Sequence, residues 1–117
     1  AQKKYMDNRS YGGTMRLGTW GAKVKKDTRA FRIYGTENTS ERHRHRFEFN
    51  DEFFKDFEKA GLVISARSIM ENLAEIIELP ESVHPFYFGT QGHPEYKSRP
   101  LRPHPIFIAF LRACIKK

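Results

Sequence analysis

Two kinds of side chain alternate without interruption along residues 43–49, which read HRHRFEF. In a β-strand, every second side chain points to the same face, so this alternation predicts a strand with two chemically different faces. One face carries His43, His45, Phe47 and Phe49, and the other carries Arg42, Arg44, Arg46 and Glu48.

A short helix is predicted directly after this strand, within DEFFKDFEKA at residues 51–60. Asn50 is a suitable N-cap, and Gly61 supplies a residue that can end the helix in a left-handed conformation. The spacing places four apolar residues on one helical face. These residues are Phe53, Phe54, Phe57 and Ala60.

The remaining pattern predicts mainly strands, with a helix at the C-terminal end. Residues 12–26 predict short strands broken by Gly18 and Gly21. LVISAR and LAEIIEL predict two strands around a turn at residues 68–72, and FYFGT predicts a buried strand after a loop at residues 80–85. Pro105 is expected at the first position of the last helix. The chain therefore reads as an α/β or α+β unit.

Length and composition limit the classes of protein to consider. A chain of 117 residues corresponds to one domain or part of one, and its apolar runs are too short to cross a membrane. No signal peptide is recognisable. A single cysteine excludes an internal disulfide. The formal net charge of +7 favours polyanionic partners and leaves a nucleic-acid-binding domain as one alternative.

The loop after FYFGT contains a candidate for acid–base chemistry. His93 and Glu95 flank Pro94, so one rigid loop can hold both side chains. A catalytic triad needs an imidazole to accept the proton of the nucleophile and a carboxylate to orient that imidazole. Taken by itself, the same tripeptide is also compatible with an ordinary polar loop.

Two other sets of residues have a chemical and a structural interpretation. His43 and His45 share a strand face and could both reach a metal ion, but they could equally pack beside Phe47 and Phe49. The only thiol, Cys114, falls on the apolar stripe of the last helix with Phe107, Phe110 and Leu111. We expect it to be a core residue, since a nucleophilic thiol requires an accessible, electropositive setting.

Three stretches taken together resemble the C-terminal part of the CTP synthase family. They are GGTMRLG at 12–18, ERHRHRFEFN at 41–50 and GTQGHPEYKSRPLRPHPIF at 89–107, and EIIELP at 75–80 lies between the last two. The resemblance implies an α/β fold, the C-terminal half of a flavodoxin-like class I glutamine amidotransferase domain. That partial domain would cover residues 12–117, after a flexible segment at residues 1–11.

The resemblance also implies a function. Members of this family hydrolyse glutamine through a Cys-His-Glu triad and use the ammonia for the ATP-dependent conversion of UTP to CTP. His93 would be the triad histidine, Glu95 its partner, and Arg46 would bind the α-carboxylate of glutamine. ATP and Mg²⁺ would belong to the synthase domain, and this chain would need no metal or cofactor. The complete enzyme would be a cytoplasmic tetramer.

The chain departs from the family pattern at two points. It has no Gly-x-Cys-x-Gly elbow, so the nucleophile would have to come from the rest of the enzyme or from a companion chain. We therefore expect the isolated chain to be inactive, and a non-catalytic binding or regulatory module is a further alternative. Gly92 stands where the family usually has an aromatic residue, which should loosen the loop that positions His93.

Overall fold

The computed structural model of the chain describes residues 16–45 and 50–116. Its strands are β1 (Arg16–Val24), β2 (Asn38–His45), β3 (Val63–Ser68), β4 (Ala74–Glu78) and β5 (Phe88–Thr90). Its helices are α1 (Arg29–Tyr34), α2 (Phe54–Lys59) and α3 (Pro105–Ile115). Short 3-10 turns cover Asp51–Phe53 and Pro94–Tyr96.

The strands form one sheet in the order β2-β1-β3-β4-β5, and every neighbouring pair is antiparallel. This sheet is curled. The His43 ring on β2 lies 3.2 Å from the Glu75 carboxylate on β4, although two strands separate them in the sheet. Register shifts between β3 and β4 provide a local cause, because a bulge bends a strand and increases its twist.

Apolar side chains pack on both faces of the sheet. One cluster contains Ala22, Val24, Ala30, Ala66 and Ile76, with Phe31, Tyr34 and Phe88 against it. The other contains Phe54, Ile64 and Ala74, with Ile77 against it. Since consecutive residues of a strand point to opposite faces, Ile76 and Ile77 assign the two clusters to the two sides of β4. Helix α1 covers the first side and α2 the second.

Helix α1 was not predicted from the sequence, because six residues are too few to establish a helical period. Local contacts define it instead. The Thr28 hydroxyl accepts a hydrogen bond from the amide of Phe31, and Gly35 ends the helix at φ 72°. The Glu78 carboxylate on β4 accepts hydrogen bonds from the amides of Arg29 and Ala30, at 2.8 and 3.0 Å. This buried carboxylate therefore fixes the start of α1 to the sheet.

The predicted strands need correction at several boundaries. β1 continues through both glycines and is not broken by them, with Gly18 at φ 82°. β2 begins at Asn38, five residues before the predicted strand. β3 and β4 confirm the two strands predicted around residues 68–72. β5 is half-buried and not buried, because it pairs with β4 along one side only.

The helix predicted after Asn50 is present, but its apolar face is not all core. The Asn50 side chain accepts a hydrogen bond from the amide of Glu52 at 3.0 Å, and Gly61 follows the helix at φ 105°. Phe54 is buried, whereas Phe53 and Phe57 are 49% and 45% exposed. A helix of six residues presents little more than one residue of this face to the sheet.

The prediction that Cys114 is a core residue is wrong, because the thiol is exposed. Pro105 does begin α3, as predicted, and the helix packs against α1. Its packed side contains buried Ile106 with half-buried Ala109 and Ala113. Apolar residues surround almost the whole circumference of α3, so helical spacing alone could not identify the packed side.

Every helix in the described ranges is too short or too polar to cross a lipid bilayer. Residues 1–15 lie outside the description, and with them most of GGTMRLG. The division of the chain at residue 11 therefore stays a prediction.

Candidate active site

The loop that follows β5 lies against β2, at the opposite end of the strand order. The amide of His93 donates a hydrogen bond to the carbonyl of Arg42 at 2.8 Å. Lys97 Nζ donates to the carbonyl of Ser40 at 2.6 Å, and Arg44 donates to the Tyr96 hydroxyl at 3.0 Å. The curl of the sheet makes these contacts possible, and they fix the loop to β2 through both backbone and side chains.

His93 and Glu95 are in direct contact within this loop. His93 Nδ1 lies 2.9 Å from Glu95 Oε2, and the imidazole stacks on the Tyr96 ring with centroids 5.3 Å apart. The 3-10 turn that starts at buried Pro94 brings the two side chains together. Since a carboxylate only accepts, Nδ1 carries the proton, and Nε2 becomes the basic nitrogen.

The hydrogen bond from His93 lowers the pKa of Glu95 below its usual value, and the charge of nearby Arg44 acts in the same direction. Glu95 therefore stays ionised at neutral pH and favours the same tautomer of the ring. The imidazole is about one-third exposed, so it is open to a second reactant. This pair can act as a general base oriented by a carboxylate.

Cationic side chains surround the pair. Arg42, Arg44 and Lys97 are exposed beside it, and the Arg42 guanidinium lies 6.0 Å from the centre of the Tyr96 ring. Such a surface suits a ligand that carries a carboxylate. The predicted substrate-binding residue, Arg46, lies in the segment 46–49, outside the described residues.

Beneath the loop lie three side chains in contact, two buried and one half-buried, that the sequence interpretation missed. The Glu41 carboxylate accepts a hydrogen bond from the Tyr34 hydroxyl at 2.6 Å and also contacts His104 Nε2. The other ring nitrogen of His104 accepts from the amide of Ile106 at 3.1 Å and so caps α3. The group thereby links β2, α1 and α3. We call it the buried Glu41 cluster.

Burial by itself would raise the pKa of Glu41, but hydrogen bonds from His104 and Tyr34 outweigh burial and lower it. Burial raises the pKa of the Tyr34 hydroxyl, and its hydrogen bond to Glu41 raises it further. The cluster therefore holds a carboxylate anion whose donors are a neutral phenol and an imidazole. The sequence could have indicated only the position of Glu41, which lies two residues before His43 and so shares its strand face, and not the partners of the carboxylate.

Gly92 packs directly on this cluster. A Cβ atom added at Gly92 would lie 2.7 Å from Glu41 Cβ, closer than two such carbons can approach. The Gly92 amide donates to the Thr90 hydroxyl at 3.0 Å. A larger residue here would have to displace the Glu41 side chain. The expected loosening of the His93 loop stays a prediction.

His43 is a buried residue of the sheet. It is 3% exposed, lies 3.2 Å from Glu75 and contacts the edge of the Trp20 ring. His43 is therefore packed within the sheet, but its packing beside Phe47 and Phe49 stays a prediction, because those residues and the side chain of His45 lie outside the description. Among the described residues, no group of three His, Cys, Asp or Glu side chains could hold a metal ion.

Cys114 lies away from the His93 loop along α3. It follows His104 by ten residues, which corresponds to about 15 Å along a helix axis. The thiol is exposed near the C-terminal end of α3. Only the N-terminal end of α3 is close to the His93 loop, because His104 contacts Glu41 there. This position gives His93 no nearby thiol from Cys114.

Comparison with known proteins identifies the class of protein. The model of the class I glutamine amidotransferase family matches residues 5–113, and the chain belongs to that family. This confirms the α/β fold class predicted from the sequence.

The chain is similar, more particularly, to CTP synthases. It is 50% identical over 109 residues to CTP synthase from Thermobifida fusca (strain YX), and the aligned residues make up 92% of this chain and 20% of the relative. It is 52% identical over 105 residues to CTP synthase from Aquifex aeolicus (strain VF5), which covers 90% and 19%. The chain thus spans about a fifth of the length of the curated relatives it matches.

A solved structure gives the same result in three dimensions. The structure of the Trypanosoma brucei CTPS glutaminase domain with bound acivicin matches with a TM-score of 0.81 and 36% identity. The match covers 89% of this chain and 41% of that one. The resemblance to the C-terminal part of CTP synthase is therefore confirmed in sequence and in fold.

Proposed function

We propose that this chain supplies the histidine–glutamate half of the glutaminase site of a CTP synthase. The contact between His93 Nδ1 and Glu95 Oε2 at 2.9 Å is the observation that carries the proposal. It is the geometry that a base and its orienting group require, and it lies in a chain of the glutamine amidotransferase family.

In the complete site, His93 Nε2 takes the proton of a cysteine thiol, and the thiolate attacks the side-chain amide of glutamine. The same nitrogen then returns the proton to the departing ammonia. Glu95 is a positioning residue, since it acts on the reaction by holding the imidazole tautomer and stabilising the imidazolium. Arg46, which lies outside the described residues, binds the α-carboxylate of glutamine.

The nucleophile comes from outside this sequence, either from the rest of the enzyme or from a companion chain. The isolated chain is therefore inactive toward glutamine. ATP, Mg²⁺ and UTP act in a synthase domain that these residues do not form, and no step proposed for this chain uses them. The complete enzyme works in the cytoplasm as a tetramer, with glutamine and the synthase domain as its partners.

The decisive experiment measures glutamate release from glutamine by three samples. The first is the chain alone, the second adds a separately made segment with the cysteine elbow, and the third uses the same mixture with His93→Ala. We expect activity in the second sample only. Acivicin, the ligand in the T. brucei structure, serves as a binding probe for the assembled site.

Two results would contradict the proposal. Activity in the chain alone would assign the nucleophile to this sequence and would turn attention to Cys114. If no sample releases glutamate although the two pieces are shown to associate, a non-catalytic binding module would be favoured. Binding of DNA or RNA that falls steeply with salt would instead favour the nucleic-acid alternative.

A further inference from the structure

A basic groove lies between α1 and α3, in a region that the proposed glutaminase function does not use. Its volume is about 690 Å³, within the range of small-molecule sites. Four cationic side chains line it, against one carboxylate, that of Glu81. The cations are Arg29, Arg32, Arg112 and Lys116.

Arg29 is the unusual member of this groove. It is only 9% exposed, and its guanidinium lies 4.9 Å from the centre of the Phe86 ring. Its Nε and Nη2 atoms are buried, and no described residue accepts a hydrogen bond from either. A buried charged donor without an acceptor is costly. Arg29 lines the groove, so the charge of an anion bound there would offset part of this cost.

The neighbouring carboxylates do not fill that role. Both oxygens of Glu78 accept backbone amides at the start of α1, those of Arg29 and Ala30. Glu81 lies 3.6 Å from Lys116, and both of those side chains are exposed. The groove therefore keeps an excess of positive charge around Arg29.

The rest of the groove is apolar. Ile33 of α1 and Ile108, Ala109 and Ala113 of α3 contribute to its wall. An anionic group at Arg29 would thus have an apolar surface beside it. The planar fork of arginine suits the oxygens of phosphate, and several nearby cations suit a group that carries more than one negative charge.

We propose that this groove binds a phosphate monoester with an apolar substituent, its phosphate on Arg29 and its substituent along α3. The site is separate from the His93 loop, so it is a second ligand site and not part of the glutaminase centre. It does not depend on the function proposed above.

The test titrates the 117-residue chain, in chloride buffer at constant ionic strength, with phenyl phosphate, inorganic phosphate and benzoate. Calorimetry measures the three Kd values. We expect phenyl phosphate to bind at least about tenfold more tightly than either other probe, because it alone combines charge with an apolar ring. Equal affinity for benzoate, or no saturation by phenyl phosphate at about 10 mM, would overturn the proposal.

Variants locate the site. Arg29→Met should weaken phenyl phosphate binding at least about tenfold, and Arg112→Met, at an exposed position of the groove, about threefold. Arg67→Met is the matched control, since its guanidinium also lies over a ring, that of Phe54 at 4.5 Å, but outside the groove. It should change the Kd less than about twofold.

Stability without ligand separates a binding role from a structural one. Arg29→Met removes an unpaired buried charge, so its melting temperature should equal or exceed that of the unsubstituted chain. A clear fall in melting temperature with unchanged affinity in Arg112→Met would show that Arg29 serves packing and would overturn the assignment.

Discussion

The same two side-chain types form two very different pairs in this molecule. His93 and Glu95 are neighbours in one loop and are open to solvent, whereas His104 and Glu41 come from distant parts of the sequence and are buried. The first pair leaves a basic nitrogen free to react with a substrate. The second uses both nitrogens of its imidazole for internal hydrogen bonds and links three elements. Burial, and not residue type, thus separates a candidate catalytic pair from a structural one.

The largest effect is expected for His93→Ala in the glutaminase assembled with the cysteine segment. Loss of the base should reduce glutamate release about 10⁶-fold, by analogy with other triads. The melting temperature of the chain should hardly change, since the side chain is partly exposed and packs mainly on Tyr96. A large loss of stability would make His93 a structural residue like His104.

Glu41→Gln should mainly reduce stability, in contrast to His93→Ala, which should mainly reduce activity. Breaking the buried Glu41 cluster should lower the free energy of unfolding by about 3 kcal/mol at pH 7, measured by urea denaturation. Glu95→Gln is the matched control, at an exposed position, and should change stability by less than about 0.5 kcal/mol. Equal effects of the two substitutions would remove the distinction between the pairs.

The pH dependence of stability gives a second test of the buried Glu41 cluster with the same variants. The folded state lowers the pKa of Glu41, so its contribution to stability is present above the unfolded pKa of about 4.3 and is lost as the pH falls through the lower folded value. The difference between Glu41→Gln and the unsubstituted chain should therefore shrink below about pH 4.3.

Gly92→Ala tests the contact between the His93 loop and the buried Glu41 cluster. Glu41 Cβ is fixed to the backbone and cannot rotate away from the added methyl group, so we expect a loss of about 2 kcal/mol in the free energy of unfolding. Gly21→Ala is a suitable control, because its closest contact is the terminal methyl of exposed Ile69, at 3.2 Å. Because that methyl group can move, Gly21→Ala should reduce the free energy of unfolding by less than Gly92→Ala does.

The smallest effect is expected for Cys114→Ser. An exposed thiol contributes little, so the free energy of unfolding should change by less than about 0.5 kcal/mol. The rate of glutamate release should hardly change. Ile106→Ala, on the packed side of the same helix, should cost about 3 kcal/mol by comparison. A strong effect of the serine variant on glutamate release would reopen the question of the nucleophile.

The parts of the fold that local patterns determine could be predicted from the sequence. The cap at Asn50 and the start of α3 at Pro105 depend on neighbouring residues, and both are present. Alternation predicted a strand over residues 43–49, and its first three residues form the end of β2. Helix α1 and the exposure of Cys114 depend on which distant surfaces pack together. The helical pattern shows only that α3 is apolar, and not which side meets α1.

The candidate site divides in the same way. His93 and Glu95 could be proposed because they stand beside one proline in a stretch that resembles CTP synthase, and the structure brings their side chains into contact. The buried Glu41 cluster could not, since Tyr34, Glu41 and His104 meet only after α1 and α3 pack on the sheet. The predicted strand began at residue 43, so the sequence analysis did not assign Glu41 to a strand face, and nothing in the sequence indicated its partners.

The attachment of the His93 loop to β2 has a further consequence, for solubility. β2 lies at an edge of the described sheet, and the carbonyls of Ser40 and Arg42 point outward from it. Such unpaired groups are where strands of other molecules add and aggregation begins. The loop occupies both carbonyls through Lys97 and the His93 amide. The segment that carries the candidate base therefore also shields the edge of the sheet from other chains.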